Sequence, residues 1–499
     1  MSAAARTAAI ALDAPGGARR VPVRARGGRR SIGVWGGLAF ACVLAAARYL
    51  DVTDDGPAML LFGTAYTASL AAAALLRPQW FPPLAVAYLP FCGVYPLLFG
   101  GVPGANLTNL LVLLGPVACI VSRSQRRERA RFGGVERLLA AYIAFAAFSM
   151  LPAYAAGEGP VDVVQTFRAW VAPILFFFYT ALIVRDRREA GGVLEVLAWT
   201  TILVAGLTWW EGIERGGRST IEASRVSGLM EQPNSMGAFL VYYGVALLAF
   251  ALTVRPWPRR ALYLAGFAAA ARAMLFTFSR GAYLAMAAGA AVVLLLRSPL
   301  LLGVAGGAGA AAAVAFPGLM PDSVAARLRA TMSEDDAFYD ADASQALDRS
   351  SAHRLVLWRG AAGMVRDHPL AGVGIGQFQR VIGYYTEVPL REGEPRDAHN
   401  AFILIAAEMG VPTLLLLLSL HATFALVAIR VYRRRRTPLD RGLAVAFLGM
   451  EAGVLVSCML GSRFSDESLI GYYWILAALL LITSRFPEVP VRRRRRAWR

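Results

Sequence analysis

The feature that most constrains this chain is the recurrence of apolar blocks, each of about 16–20 residues. A helix of roughly that length crosses the ~30 Å hydrocarbon core of a bilayer, where backbone polar groups must be satisfied within the protein. Charged residues make up 17% of the chain and crowd between the blocks. The blocks span residues 32–50, 58–76, 84–99, 107–121, 138–156, 164–184, 193–210, 236–254, 261–278, 281–296, 300–316, 402–431, 443–460 and 469–483. The sequence therefore predicts an all-α, polytopic membrane helix bundle with about fourteen transmembrane helices.

The distribution of Lys and Arg predicts the orientation of this bundle, because cytoplasmic loops are enriched in these residues. If the arginine-rich N-terminus is inside, this number of crossings puts every strongly basic run on the cytoplasmic side. Those runs are 123–131, 185–188, 255–260, Arg297, 430–436 and 492–496. The loops that then lie outside are acidic or mixed, at 51–55, 158–162, 211–234 and 463–467. We therefore expect a multi-pass protein of the cytoplasmic (inner) membrane with both termini in the cytoplasm.

The longest polar stretch divides the chain into segments. Residues 1–31 are rich in Ala, Gly and Arg and are expected to form a disordered basic cytoplasmic tail. Transmembrane helices 1–11 occupy residues 32–316 and helices 12–14 occupy residues 401–484, followed by a second basic cytoplasmic tail at 485–499. Residues 317–400 form a large, partly helical extracytoplasmic loop. Because loops of that length are usually functional, we expect active-site elements in it.

Charge and cysteine usage argue against several other classes of protein. A net charge of +18 would suggest nucleic-acid binding in a soluble chain. Here the basic residues flank apolar blocks, where they set topology and contact anionic lipids, so no nucleic-acid partner is expected. The four cysteines all lie within apolar blocks and lack metal-ligand spacing. The sequence therefore predicts neither a disulfide nor a zinc site.

A few polar residues near the predicted outer surface are candidates for chemistry. Arg225 lies in the outer loop RVSGLMEQPNSMG, Arg280 lies in FTFSRGAYL, and His399 precedes Asn400 at the end of the long loop. Arg168 lies just inside the sixth apolar block, where arginine is costly and usually faces the protein interior. Each has a plain structural interpretation too. Arg168 and Arg280 would serve as interface anchors, Arg225 as a solvated loop residue, and His399 as a helix cap.

Together these residues suit one kind of substrate. Two guanidinium forks can hold the oxygens of a diphosphate. A histidine that titrates near neutrality can accept a proton from an attacking hydroxyl. Arginine would also stabilise the charge that develops on a departing diphosphate. The residues themselves therefore point to a lipid-linked diphosphate beside a proton acceptor.

Four motifs, in order, make the sequence similar to the O-antigen ligase / O-antigen polymerase superfamily. Residues 225–234 (RVSGLMEQPN) resemble the family's R-x-x-G…P-N stretch, and residues 279–281 (SRG) resemble its central arginine segment. Residues 354–378 resemble its outer-loop helix, which ends in a P-x-x-G-x-G-x-G-x-F run. Residues 399–410 (HNAFILIAAEMG) resemble its H-N…E-x-G helix start. The resemblance covers residues 225–431, less than half of the chain.

The resemblance implies a metal-independent, inverting glycosyltransferase on the outer face of the membrane, with no cofactor. The donor would be a glycan on undecaprenyl diphosphate, and a hydroxyl of a lipid or glycan acceptor would displace the diphosphate. The catalytic residues would be Arg225 and Arg280, which bind the diphosphate, and His399, which activates the acceptor. The substrate-binding residues would be Arg168, Arg354, Trp358 and Asn400. For Trp358, packing of the loop helix is the first expectation and a direct sugar contact the second. The motifs do not separate ligases from polymerases.

Two other functions stay open from the sequence. A transporter or flippase of lipid-linked glycans would also have many helices and buried arginines, although flippases usually lack a folded outer loop of this size. A metal-dependent polyprenyl-phosphate sugar transferase would use the first-loop carboxylates Asp51, Asp54 and Asp55, since hard cations take oxygen ligands. Substrate movement without a bond change would favour the first. Activity lost with chelator and restored by magnesium or manganese would favour the second.

Overall fold

The protein is helical throughout the part that its structure, a computed structural model, describes. The described residues are 31–53, 56–97, 104–126, 133–215, 224–230, 232–315, 349–386, 397–434 and 437–487. No strand occurs in them, which confirms the predicted all-α class. Almost all of the two predicted basic tails lies outside the described residues. So does the first part of the predicted outer loop, including its acidic stretch.

The helices follow the predicted apolar blocks. They are α1 (Ile32–Tyr49), α2 (Pro57–Leu76), α3 (Phe81–Tyr88), α4 (Leu107–Arg126), α5 (Gly134–Phe148), α6 (Met150–Ala155), α7 (Pro160–Ile183), α8 (Arg187–Arg215), α9 (Pro233–Thr253), α10 (Trp257–Leu275), α11 (Arg280–Arg297), α12 (Pro299–Ala315), α13 (Arg349–Asp367), α14 (Phe378–Val381), α15 (Ala401–Arg434), α16 (Pro438–Cys458) and α17 (Glu467–Arg485). Short 3₁₀ turns cover Pro78–Trp80, Leu89–Phe91 and Ile382–Tyr384.

Eleven helical segments in the described ranges are long and apolar enough to cross a membrane, with α5 and α6 taken together. They coincide with eleven of the predicted blocks. The other three blocks fall on α3, α10 and α12, which are also helical. Helix α3 is short, α10 carries three arginines, and the apolar part of α12 is limited to Pro299–Gly309. The total of about fourteen crossings therefore stays a prediction.

The third predicted block is a helix interrupted by proline. Pro90 has no backbone N–H to donate, and α3 gives way to a 3₁₀ turn there. The segment lies beside α1 over that helix's whole length. Trp80 lies against Gly33 at the start of α1. The Tyr95 hydroxyl donates to the carbonyl of Val52, just beyond the end of α1, at 3.0 Å.

One end of the bundle is here called the basic end, because the elements that meet there border the predicted cytoplasmic loops, which are basic. Arg187, at the start of α8, donates to both carboxylate oxygens of Asp440 in α16, with Nη2 2.9 Å from Oδ2. It also donates to the carbonyl of Pro487 at 2.8 Å. Arg485, at the end of α17, pairs with Glu136 in α5 at 2.8 Å. Charged pairs with buried carboxylates therefore tie these four helices together.

The other end, here called the site end, gathers the segments 224–230, 276–279, 397–400 and 459–466. The backbone N–H of Val226 donates to the carbonyl of Phe276 at 3.1 Å. The long helices run from one end of the bundle to the other. Helix α16, for example, begins beside Arg187 and ends at Cys458, where the fourth of these segments starts. The candidate residues of the outer loops therefore collect far from the basic end.

The middle of the bundle is built on α9 and α17, which are the most buried of the candidate spans. Several of the polar groups there are hydrogen-bonded, which offsets the cost of burying them in a low dielectric. The Tyr243 hydroxyl donates to the carbonyl of Leu469 at 2.5 Å. Nδ1 of His421 lies 2.6 Å from Oε1 of Glu451 and 3.0 Å from the hydroxyl of Tyr473. This buried trio joins α15, α16 and α17 beneath the site end.

Candidate active site

The loop that carries Arg225 is fixed by a tight turn. Gly228 has a φ of +59°, and a Cβ there would lie 2.7 Å from the sulfur of Met236. Only glycine fits that position without strain. The next helix, α9, begins at Pro233, whose missing N–H costs nothing in a first turn. The glycine and proline of the R-x-x-G…P-N motif therefore shape the backbone that presents Arg225.

The Arg225 side chain is held in place by two neighbouring segments. Its Nε donates to the carbonyl of Thr277 at 3.0 Å, and its Nη2 donates to Oδ1 of Asn234 at 2.8 Å. Arg215 donates from Nη1 to the backbone carbonyl of Arg225 at 2.9 Å. The asparagine of the motif therefore positions the guanidinium, and the carbonyl of Thr277 connects it to the segment before Arg280.

Arg280 is the first residue of α11, after a strained turn. Phe278 has a φ of +48°, in the left-handed region that non-glycine residues adopt only at a cost of about 1–2 kcal/mol. Ser279 is the N-cap residue, and Gly281 packs against Leu460 of the 459–466 segment. Strain of this kind persists where the surrounding structure imposes it, often at functional sites. The turn brings Arg280 to the same end of the bundle as Arg225.

The Pro/Gly run of the outer loop docks onto α15. Gly372, Gly374 and Gly376 have φ values of +68°, +109° and +77°, which explains the alternation of glycine. Gly374 donates to the carbonyl of Glu408 at 3.1 Å, and the Phe378 N–H donates to its carboxylate at 3.0 Å. Helix α15 bends at the adjacent Gly410, with a φ of +84°. The E-x-G motif therefore forms the surface on which the Pro/Gly run of the outer loop packs.

His399 lies at the start of α15, in a backbone position set by its neighbours. Asn400 caps the helix, since its Oδ1 accepts from the N–H groups of Phe402 and Ile403 at 3.0 and 3.1 Å. Trp358, on loop helix α13, donates from Nε1 to the carbonyl of Ala398 at 2.7 Å. His399 itself has a φ of +48°, a second strained residue at this end. Trp358 and Asn400 therefore position the histidine backbone from both sides.

A carboxylate faces the imidazole. Oδ2 of Asp397 lies 3.4 Å from Nδ1 of His399, and its Oδ1 accepts from the Ser462 hydroxyl at 2.9 Å. Burial lowers the pKa of His399 below its usual value of 6.5, and Asp397 opposes this effect. Nearby Arg354 and Arg463 lower the pKa further, as does His353. The ring is therefore neutral at neutral pH, as a proton acceptor must be.

Arg463 is a component of this site that the sequence analysis did not single out. Its side chain is 8% exposed, and its Nη1 donates to the Ser235 hydroxyl at 3.1 Å. Its Nε has no hydrogen-bond acceptor within the described residues. Lys and Arg are enriched in cytoplasmic loops, so an arginine in a predicted outer loop is an exception. That exception was the sequence signal that could have identified Arg463.

A chain of contacts joins Arg225 to His399. Arg225 bonds to Asn234, and the next residue in α9, Ser235, bonds to Arg463. Ser462, which precedes Arg463, bonds to Asp397, and Asp397 faces His399. The segment 459–466, which overlaps the predicted outer loop 463–467, therefore connects the two halves of the candidate site.

Two other predicted substrate-binding residues lie at this end. Arg168, in α7, donates from Nη2 to Oε1 of Glu467 at the start of α17, at 3.2 Å. The pair links these two helices. Arg354 lies on α13 near His399, close enough to influence its charge.

The carboxylates of the first predicted outer loop are only partly covered by the described residues. Asp51 pairs with Arg48 at 3.4 Å, while Asp54 and Asp55 lie outside the described residues. In the described ranges, no group of three or more His, Cys, Asp or Glu side chains could hold a metal ion. The metal-dependent alternative therefore stays a matter for experiment.

Comparison with known families gives one match. The model of a family described as O-antigen ligase matches residues 265–418, less than a third of the chain. The matched stretch runs from α10 through the outer loop to the first half of α15, and it contains Arg280, Arg354 and His399. Arg225 and Arg463 lie outside it. No curated protein matches the chain.

Proposed function

We propose, on the premise that this integral membrane protein belongs to the O-antigen ligase superfamily, that it transfers or polymerises a glycan on the outer face of the cytoplasmic membrane. The donor is a glycan on undecaprenyl diphosphate, and the acceptor is a hydroxyl of a lipid or of another glycan. The observation that carries this proposal is the contact chain that brings Arg225 and His399 to one end of the bundle.

The arginines suit the diphosphate of the donor. Arg225 is held at two of its nitrogens by neutral oxygens, which fixes the orientation of its planar fork. Arg280 follows within three residues of the carbonyl that orients Arg225. Arg463 adds a third guanidinium, buried and bonded to a hydroxyl. Charge developing on a departing diphosphate would be stabilised by these groups without reorganisation of solvent.

His399 suits the role of the base. A proton on Nδ1 lies beside the Asp397 carboxylate, which leaves Nε2 to accept a proton from the acceptor. As the acceptor oxygen forms a bond with the anomeric carbon of the donor sugar, its proton passes to Nε2. The bond from that carbon to the diphosphate oxygen breaks, and its electron pair leaves with the diphosphate. One displacement from the opposite face inverts the configuration and requires no metal.

The other predicted substrate-binding residues have supporting roles in this mechanism. Trp358 and Asn400 hold the backbone on either side of His399, so that they position the base. Burial is the main cause of the lowered pKa of His399, and the charge of Arg354 lowers that pKa further, which favours the neutral imidazole that the mechanism requires. Arg168, paired with Glu467, fixes the start of α17 beside the 459–466 segment.

The test is glycan transfer by purified protein in lipid from a diphosphate-linked donor, with and without chelator. We expect transfer to survive chelator and to disappear in His399→Ala. The matched control is His368→Ala, because His368 is an exposed histidine of the same outer loop. A ladder of product sizes would indicate polymerisation, and a single step would indicate ligation.

Three results would contradict the proposal. Chelator sensitivity reversed by magnesium or manganese would favour a metal-dependent transferase. Full transfer by both His399→Ala and Arg280→Ala in folded protein would exclude the assigned roles. Movement of the donor across the bilayer with no bond change, in protein that transfers no glycan, would favour a flippase.

A further inference from the structure

A cavity of about 500 Å³ opens at the basic end of the bundle, opposite the candidate active site. It lies among the ends of α9, α10, α11, α15 and α16. Its lining consists of Leu252, Thr253, Val254, Arg255, Arg260, Leu296, Arg297, Tyr432, Pro438, Arg441 and Val445. The cavity therefore brings together Arg255 and Arg260 of one predicted cytoplasmic run, Arg297, and Arg441 from the start of α16.

The charge of this cavity is one-sided. Four guanidiniums line it, from Arg255, Arg260, Arg297 and Arg441, and its lining contains no carboxylate. Within the described part of the chain, none of the four forms an ion pair. The contrast with Asp440, one residue before Arg441, is direct, because that carboxylate is already paired with Arg187. Like charges around a concave surface focus a positive potential, which an anion would relieve.

The polar wall of the cavity is ordered by contacts of its own. The Tyr432 hydroxyl donates to the carbonyl of Leu296 at 2.5 Å, which joins the end of α15 to the end of α11. The guanidinium of Arg441 lies over the Tyr432 ring, 5.3 Å from its centroid. A cation over an aromatic face is attracted to it. The Tyr432 ring therefore restrains the Arg441 guanidinium beside the cavity, although the Arg441 side chain is exposed.

Apart from Thr253, whose hydroxyl donates to the carbonyl of Ala249 in its own helix at 2.8 Å, the rest of the lining is apolar. Leu252, Leu296 and Val445 come from α9, α11 and α16, which are helices of the membrane-spanning length class. Arginines thus alternate with apolar side chains at the point where apolar helices end. A ligand that fits both surfaces carries an anionic head with hydrocarbon attached. Basic pockets between membrane helices on the cytoplasmic side are known to suit such molecules in general.

We propose that this cavity is a binding site for a phosphate group borne by an anionic phospholipid of the inner leaflet. The guanidiniums of Arg441 and Arg255 form charge-assisted hydrogen bonds to the phosphate oxygens, and Arg260 and Arg297 complete the positive rim. The bound lipid joins the α9–α10 link to the ends of α11 and α16. The cavity lies apart from the candidate active site, so this proposal can be confirmed or refuted independently of the proposed function.

The experiment measures phospholipid that co-purifies with the full-length protein, together with its thermal unfolding in detergent. The probes are phosphatidylglycerol, phosphatidylcholine and inorganic phosphate, each titrated alone. We expect phosphatidylglycerol to be retained and to raise the unfolding temperature, and phosphatidylcholine to do neither. The double variant Arg255→Gln/Arg441→Gln should bind phosphatidylglycerol at least about tenfold more weakly, since two charge-assisted hydrogen bonds are lost.

The matched control is Arg259→Gln, which removes a neighbouring arginine of α10 that lies outside the cavity and is 58% exposed. It should bind phosphatidylglycerol as the wild type does. Arg441→Lys, which keeps the charge but loses the fork, gives a second variant with an expected intermediate affinity. This variant decides the matter if the double variant does not fold.

Three outcomes would overturn the proposal. Equal weakening by the control and by the double variant would mean general attraction of basic residues to anionic lipid. Saturation of the thermal shift by inorganic phosphate, with no further effect of phosphatidylglycerol, would make free phosphate the ligand. Wild-type protein that neither retains phosphatidylglycerol nor responds to it would leave the cavity without this ligand.

Discussion

The arginines that join helices at the basic end and Arg463 at the site end are bonded in opposite ways. At the basic end, Arg187 and Arg485 are paired with the buried carboxylates of Asp440 and Glu136, at 2.9 and 2.8 Å. At the site end, Arg463 is also buried, at 8% exposed, but it is bonded to the neutral hydroxyl of Ser235. A guanidinium that meets a carboxylate is neutralised and fastens helices together. One that is held by a neutral oxygen keeps its net charge for a ligand.

The backbones of the two ends differ in the same sense. Helix α16 starts at the basic end with a regular cap, in which the Thr437 hydroxyl accepts from the N–H of Asp440 at 3.1 Å. At the site end, Phe278 and His399 both occupy the left-handed region. Regular caps add stability. Strained residues reduce stability, and they are often found at functional sites. We therefore propose that the basic end serves mainly stability and the site end serves chemistry, and four predictions test that division.

The largest expected effect is at the basic end. Arg187→Ala leaves the carboxylate of Asp440, which is 0% exposed, without its partner. We expect a loss of about 3–5 kcal/mol in the free energy of unfolding, because an uncompensated buried charge remains. Chemical unfolding in detergent measures this loss. Glycan transfer per folded molecule should be unchanged, since the site end is remote.

The control for Arg187 removes both charges. Arg187→Met combined with Asp440→Leu should be much less destabilising than Arg187→Ala alone, because no buried charge is left behind. If the double variant were as unstable as the single one, the ion pair would not be what fastens α8 to α16, and the comparison between the ends would lose its first half.

The second effect is at the site end and has the opposite signature. Arg463→Gln retains a donor for Ser235 but removes the charge. We expect transfer to fall by about 10²–10³-fold, the usual cost of removing one group that stabilises charge in a transition state. The free energy of unfolding should not fall, because a buried charge without a carboxylate partner is itself costly.

Arg463→Lys sharpens this test, since it keeps the charge and loses the fork. Its activity should lie between those of the wild type and Arg463→Gln. A variant Arg463→Gln that unfolds readily while its folded fraction remains fully active would show that Arg463 is structural, as Arg187 is.

The third effect concerns the pH dependence of transfer. Asp397 raises the pKa of His399 against the lowering effect of burial. Transfer requires the neutral ring, so activity is lost as the pH falls through this pKa, below the usual value of 6.5. In Asp397→Asn the pKa falls further, and the acidic limb of the pH–rate profile should move to lower pH. The rate at neutral pH should drop about 10–100-fold, because the ring is a weaker and less well oriented base.

The control for Asp397 is Ser462→Ala, which removes the hydroxyl that bonds to its other oxygen. It should move the acidic limb less than Asp397→Asn does. An acidic limb that stays in place in Asp397→Asn would contradict the assignment of His399 as the base.

The fold was largely predictable from the sequence because hydrophobic length is a local property. Each apolar block is helical, and the exception in detail, the proline-broken α3, follows from Pro90. The number of crossings is less accessible. Whether short or arginine-bearing helices such as α10 and α12 span a bilayer depends on their neighbours rather than on their own composition.

The candidate site was predictable only where a motif carried it. Arg225, Arg280 and His399 were singled out as polar residues near the predicted outer surface, were given roles through the family resemblance, and lie at one end of the bundle. Asp397 and Arg463 were missed, since their importance comes from contacts between the segments 397–400 and 459–466, which are far apart in the sequence. A local pattern contains no information on such pairings.

The smallest expected effect separates positioning from substrate contact. Trp358→Phe keeps the ring that packs loop helix α13 but removes the hydrogen bond from Nε1 to the carbonyl of Ala398. One hydrogen bond contributes about 1 kcal/mol, so transfer should fall by about fivefold. The decrease should appear in kcat, with KM for the donor unchanged, because His399 is displaced while the arginines are not. The neighbouring exposed residue Leu355 gives the control, and Leu355→Ala should change neither constant. An increase in KM alone would instead mean that Trp358 contacts the glycan, which is the substrate-binding role considered for it from the sequence. The candidate site would then extend along α13.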